Sequence, residues 1–165
     1  MQIPLELKKM LEGDCGLTKQ KAARLVVDLA STAGATEFIK CTHAHVSGVS
    51  PLTGGHGLRR FLEDLSGDID ASVEIPTTLN SAGCDKEKMK EMDIQTEDFL
   101  EHQFEIIHSY SKLGIDATLS CTPYDRGVEY EGIGSWAESN AVAFSNSYTS
   151  LITNRESGLS ALSTA

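Results

Sequence analysis

Three times along this chain a short apolar stretch runs straight into a loop crowded with Gly, Ser, Thr, Asn or Cys. Residues 37–41 (EFIKC) lead into residues 42–57 (THAHVSGVSPLTGGHG), residues 72–75 (SVEI) into residues 77–83 (TTLNSAG), and residues 115–120 (IDATLS) into residues 121–127 (CTPYDRG). Short apolar runs bounded by turn residues read as strands. Segments of helical periodicity lie between them. That alternation leaves few architectures open. It predicts an α/β layer of strands alternating with helices, with residues 1–165 as one domain.

The helical segments carry their own punctuation. Residues 5–11 predict a short helix closed by Gly13. Thr18 is the expected cap of a longer helix reaching Thr32, with Ala22, Leu25, Val26 and Leu29 on one face and Gly34 as its end. Residues 58–65 predict a further short helix, and residues 86–92 a helical turn. The strongest signal runs from Thr96 as cap through residues 97–113 to Gly114 as stop. Leu100, Phe104 and Ile107, with Phe99, Ile106, Tyr110 and Leu113, form its expected inward side. Ser135 opens a helix of small residues from Trp136 to about Ser147. Residues 160–165 read as a helix just starting, with no stop signal, so the chain is expected to be a truncated piece of a longer protein.

Composition excludes several classes. Hydrophobic residues make up 40% of the chain, enough for a core. The net charge is −10 and no basic run exists, so nucleic acid is not an expected partner. No stretch approaches the roughly 20 apolar residues that span a bilayer, so no membrane partner is expected either. The first residues lack the pattern of a signal peptide, which predicts a cytoplasmic protein. Cys15, Cys41, Cys84 and Cys121 are scattered without a CxxC pair. In that compartment disulfides are not expected, and the spacing of a zinc site is absent.

Ligands in open α/β sheets collect at the carboxyl ends of strands, which directs attention to the three loops. Gly48, Val49 and Ser50 offer backbone N–H groups and a hydroxyl, and Gly54, Gly55 and Gly57 permit close approach of backbone to an anion. The bland alternative is an exposed glycine loop. Thr77, Thr78, Asn80 and Ser81 are neutral hydrogen-bonding groups suited to hydroxyl and carboxylate oxygens, or to a capped turn. Cys121 is a candidate cluster ligand or nucleophile, against a buried structural thiol; Cys84 stays ambiguous, while Cys15 and Cys41 read as structural. Glu138 and Ser139 open the small-residue helix, where a carboxylate either contacts substrate or complements the helix dipole. Arg155 pairs with Glu156 or binds an anion. His43 and His45 share one side of an extended segment, as hydrogen-bonding groups or metal ligands. A nucleophile hydrolase using Cys121 with either histidine lacks any recognisable elbow.

Taken together, five blocks resemble the large subunit of the aconitase X family: AHVSGVS at residues 44–50, PTTLNSAGCD at 76–85, SCTPY at 120–124, WAESNAVAFSNS at 136–147 and TNRESG at 153–158. The form GVSPLTGGHGLRRFLEDL is similar to the archaeal-type members. At residues 150–152, SLI stands where many relatives have GAR. The resemblance implies an aconitase-like layered α/β domain, truncated, from an iron–sulfur hydro-lyase acting on a small anionic hydroxy acid. The archaeal type dehydrates 5-phosphomevalonate to trans-anhydromevalonate 5-phosphate in a modified mevalonate pathway. Other members dehydrate cis-3-hydroxy-L-proline, and a non-catalytic small-anion-binding module is the remaining alternative. By the same resemblance Gly48, Val49, Ser50, Asn80, Ser81, Glu138 and Ser139 contact substrate, and Cys121 is one of three cysteine ligands of a 4Fe–4S cluster. The other two cysteines are expected beyond residue 165, and the catalytic base on a separate small subunit. No catalytic residue is therefore expected in this chain, which alone is expected to be inactive.

Overall fold

The structure is a computed structural model that describes residues 1–85, 88, 91, 96–127 and 129–165. Its elements are α1 (Leu5–Glu12), α2 (Leu17–Thr32), β1 (His43–Val46), α3 (Pro51–Ser66), β2 (Thr77–Leu79), α4 (Glu97–Lys112), a 3-10 turn (Pro123–Arg126), β3 (Glu131–Trp136), α5 (Ser139–Tyr148), β4 (Ser150–Arg155) and α6 (Gly158–Thr164). The four strands form one parallel sheet in the order β2-β1-β3-β4. A parallel sheet is stable when both faces are covered. Val46 and Leu79 face a core built with Leu62 and Leu65 of α3, Ile106, Ile107 and Tyr110 of α4, and Ala161 and Leu162 of α6. On the other face Trp136 and Leu151 pack with Tyr130 and with Ala141 of α5.

The helix ends follow local chemistry. Thr96 caps α4, accepting from the Phe99 N–H at 3.3 Å, and Glu97, Asp98 and Lys112 complement the helix dipole. Gly114 closes that helix with φ +82°, a conformation costly for residues with a Cβ. Gly13 ends α1 in the same left-handed region. Thr18 does not cap α2: it lies inside the helix and donates to the Leu65 carbonyl at 3.2 Å, while Gly16 holds the cap position.

Several boundaries differ from the sequence reading. Residues 37–41 and 72–75 are not strands; the strands begin just after them, at His43 and Thr77. Residues 42–57 are therefore no continuous loop, since they hold β1 and the first turns of α3, which kinks at Gly55 (φ 53°, ψ −158°). Residues 115–120 lie beside the sheet through one bridge, Thr78 with Asp116, and Leu119 (φ 49°) breaks the extended run. Ser135 and Trp136 end β3 instead of opening a helix; α5 starts at Ser139 under a Glu138 cap. Phe104 is 41% exposed, and Gln103 takes the inward place at 0%. The helical turn predicted at residues 86–92 falls largely outside the described residues.

Candidate functional site

Because all four strands are parallel, their carboxyl ends form one rim, and the loops leaving them meet there. β1 ends at Val46 and runs into Gly48, which turns the backbone at φ +80°. Val49 then enters the core at 1% exposure, so its backbone alone is left for a ligand. Ser50 caps α3, its Oγ accepting from the Leu52 N–H at 3.2 Å. β2 ends at Leu79 and hands over to Asn80, tied to the Val46 carbonyl through its N–H at 2.8 Å. Ser81 is exposed beside it. β3 ends at Trp136, and Ala137 donates to the His45 carbonyl at 3.0 Å, which sets Glu138 next to Asn80.

Side chains then join the loops. The Asn80 Nδ2 donates to Glu138 Oε2 at 3.3 Å, and Glu138 Oε1 accepts from the Asn140 N–H at 3.0 Å. Asn140 Nδ2 donates to the Tyr124 hydroxyl at 2.9 Å. Arg155, at the end of β4, donates from Nε to Ser139 Oγ at 2.7 Å; no pair with Glu156 forms among the described residues. Gln103 of α4 clamps the first two loops together: its Nε2 donates to the Val49 carbonyl at 3.0 Å, and its Oε1 accepts from the Gly83 N–H at 2.8 Å. A Cβ on Gly83 would collide with Ser50 Oγ, so only glycine lets the loops approach this closely. α3, α5 and α6 all start at this rim, under Ser50, Glu138 and Ser157. Helix N-termini favour anions.

Behind the rim lies a buried polar layer. His45 is fully buried, with Nδ1 2.8 Å from Thr78 Oγ1. His43 Nδ1 accepts from Trp136 Nε1 at 3.0 Å. Burial pushes both imidazoles down to about 4; for His43 the neighbouring His45 adds to the shift, and for His45 the Glu138 carboxylate opposes it. Both rings are therefore neutral near pH 7 and hydrogen-bonded within the protein. Among the described residues, His45 Nε2 and Asn80 Oδ1 are buried without a hydrogen-bond partner.

Cys121 is exposed, one residue after Ser120, whose N–H binds the last carbonyl of β2 at 3.3 Å. That fits a ligand reaching a cluster at this rim. No group of three or more His, Cys, Asp or Glu among the described residues is placed to hold a metal, so the donor set is one thiol and not a complete site. Cys84, half-buried in the second loop, has its thiol pushed up by burial. Cys41 lines an apolar groove of about 480 Å³ at the opposite, amino-terminal rim, with Phe38, Ile39, Val73 and Leu162. Its charged lining residues pair with one another, Lys19 with Glu74 and Lys40 with Glu6.

Of the residues expected from the sequence to contact substrate, Gly48, Ser50, Asn80, Glu138 and Ser139 are brought by the fold to one rim. Sequence reasoning did not anticipate Gln103, Thr78 as a partner of His45, or the Tyr124–Asn140 pair. A glutamine amid the apolar stripe of α4 was the one available signal for Gln103.

The fold and rim define an α/β layer domain with an anion-suited, carboxylate-bearing site at the strand ends. Residues 1–165 match the model of the aconitase X first domain, and the chain belongs to the aconitase X family. It is 38% identical over 168 residues to the phosphomevalonate dehydratase large subunit of Methanosarcina mazei, covering 100% of this chain and 41% of that protein. It is 34% identical over 149 residues to the cis-3-hydroxy-L-proline dehydratase of Pseudomonas aeruginosa, covering 88% of this chain and 25% of that one. The crystal structure of Thermococcus kodakaraensis aconitase X in its holo-form superposes with a TM-score of 0.86 at 36% identity, over 100% of this chain and 40% of that chain. The chain therefore spans about two fifths of the length of these archaeal relatives.

Proposed function

We propose that this chain is the substrate-holding front part of the large subunit of a hydro-lyase that dehydrates 5-phosphomevalonate. The observation that carries this reading is the joining of three loops at one rim, the first two by Gln103 and the second and third by the Asn80–Glu138 hydrogen bond, in a domain whose archaeal relatives are named for that reaction. The cis-3-hydroxy-L-proline dehydratases match over less of the chain.

In this reading the Gly48–Ser50 backbone and the helix N-termini hold the anionic oxygens. Asn80, Ser81 and Ser139 orient the hydroxy acid. Glu138, held on both oxygens by Asn80 and the Asn140 N–H, presents a fixed carboxylate to the substrate. Arg155 is engaged only through Nε among the described residues, which leaves its terminal amino groups for an anion. Cys121 would hold a 4Fe–4S cluster together with cysteines from sequence that the relatives carry outside this span. When bound, that cluster supplies a Lewis acid that polarises the leaving hydroxyl. The base is assigned to a serine of a small subunit, in keeping with relatives named as large subunits. A cytoplasmic setting is supported by four free cysteines.

The test uses the complete large subunit, reconstituted anaerobically with iron and sulfide and mixed with the small subunit. Dehydration of 5-phosphomevalonate in preference to cis-3-hydroxy-L-proline is expected. Asn80→Ala is expected to lower kcat/KM about 10- to 100-fold, the worth of one hydrogen bond to a charged group. Cys121→Ala is expected to abolish the brown colour. Turnover of neither acid sinks the assignment and favours an anion-binding module.

A further inference from the structure

The turn that follows Cys121 is fastened to the helix that Glu138 caps. Pro123 is buried, and its carbonyl accepts from the Tyr130 hydroxyl at 3.1 Å. Tyr124, the next residue, lies against α5. Its ring stacks on Phe144 with centroids 3.8 Å apart and 12° between the planes. Its hydroxyl accepts from Asn140 Nδ2 at 2.9 Å. Asn140 and Phe144 are four residues apart and share one face of α5, so the tyrosine is held at two points of that face. Arg126, at the far end of the turn, pairs with Asp116 at 3.2 Å.

The same asparagine touches the carboxylate. Its backbone N–H donates to Glu138 Oε1 at 3.0 Å, and Glu138 Oε2 accepts from Asn80 at 3.3 Å. Asn140 therefore faces both ways, with its main chain toward Glu138 and its side chain toward Tyr124. The turn has need of such a fastening. Up to Ser120 the segment is tied to β2 by backbone bonds. Beyond Ser120 the turn's backbone bonds are internal among the described residues, as from the Asp125 N–H to the Thr122 carbonyl at 3.1 Å, so side chains must set its place. The Tyr124–Asn140 bond lies at the surface, where water replaces a lost partner. Its removal therefore loosens the turn without unfolding the domain.

We propose that Tyr124 is a positioning residue: by its ring and its hydroxyl it latches the Cys121 turn onto the start of α5, so that the Cys121 thiol and the Glu138 carboxylate keep one spacing. The inference rests on the reading of Cys121 as a cluster ligand and of Glu138 as a substrate-contacting group. In that reading the two groups stand on different loops and serve the same small acid. A misplacement of about 1 Å between such groups costs on the order of 100-fold in rate. Tyr124 itself touches neither thiol nor substrate; it acts through the two elements it joins.

The experiment compares the complete large subunit with its Tyr124→Phe, Asn140→Ala and doubly substituted forms. Tyr124→Phe keeps the stack on Phe144 and removes the hydroxyl. Asn140→Ala removes the other partner and keeps the backbone bond to Glu138. Hydrogen exchange by mass spectrometry is read first, without iron or substrate. Each single variant is expected to speed exchange severalfold in the peptide over residues 121–127 and in the peptide over residues 138–144, with Tm nearly unchanged. The double variant is expected to exceed neither, because one contact cannot be lost twice. Effects that add, or that stay on one side, overturn the latch. After reconstitution with iron and sulfide and addition of the small subunit, Tyr124→Phe is expected to lower kcat about 10-fold with KM within about twofold of the wild type. An unchanged kcat in a variant whose exchange has risen overturns the positioning role. If the wild-type enzyme turns over neither acid, the dehydratase reading fails by itself, and the exchange arm still decides the latch.

Discussion

At the scale of single residues, the two buried histidines make the sharpest commitment. His43 and His45 have folded-state values near 4, against 6.5 for the free side chain. The folded state therefore binds fewer protons than the unfolded chain between those two values. The stabilisation is complete above pH 6.5 and is lost as pH falls toward about 4. A loss on the order of a few kcal/mol across that window is expected from the pair. Urea midpoints measured from pH 7.5 down to 4 check it. His43→Phe, which keeps the ring volume near Tyr130 and Trp136, is expected to flatten part of the slope. An unchanged slope in that variant would place the pH dependence elsewhere. Gly83 makes a second commitment at this scale. Gly83→Ala would drive a Cβ into Ser50 Oγ and to 3.0 Å from the Phe99 ring. The two loops are then expected to part, weakening phosphate binding with a modest fall in Tm; calorimetric titration with inorganic phosphate reads this.

At the scale of elements, α4 does two jobs. Thr96 caps it, and Thr96→Ala is expected to cost about 1 kcal/mol. Gln103 reaches from its buried face to both loops. Gln103→Leu fits the apolar stripe but strands the Gly83 N–H and the Val49 carbonyl, for an expected cost of roughly 2–4 kcal/mol. Chemical denaturation of both variants separates a cap effect from a clamp effect, because only Gln103→Leu also alters anion binding. If the two variants behave alike, the clamp is not a clamp. The contrast also shows what was legible. α4 was readable because cap, stripe and stop are local signals. The strands were not. HAHV and TTL look polar, yet every residue in them is buried, because partners on other strands take one ring nitrogen of each histidine: Thr78 for His45, Trp136 for His43. EFIKC and SVEI look strand-like, yet they precede the strands and wall the apolar groove. Which side chain satisfies which is long-range information, and period counting carries none of it. The rim loops were more legible than the strands because they are local chemistry. Gly48, Ser50, Asn80 and Glu138 were readable as groups, while the bonds joining them were not.

At the scale of the whole molecule, the sheet order separates an interior from an edge. β1 has neighbours on both sides, and its four residues are all buried. β4 is at the edge, with buried and exposed residues alternating along its first half and Ile152 64% exposed. An edge strand leaves half its backbone groups without a ladder partner. The first and third rim loops hang from the interior strands β1 and β3; the second hangs from β2, the other edge strand, whose outer side is covered by the Asp116 segment, so most of the site rests on the part of the sheet that opens last. Hydrogen exchange followed by mass spectrometry gives this a measurable form. Peptides covering β1 are expected to exchange at the rate of global unfolding, and peptides covering β4 severalfold faster through local opening. Asn80 and Glu138, being joined, are expected to lie in segments of similar protection, whereas residues 37–41 at the far rim are expected to exchange early. Equal protection of β4 and β1 would contradict the edge assignment. It would mean that another segment or a second chain completes the sheet beside β4.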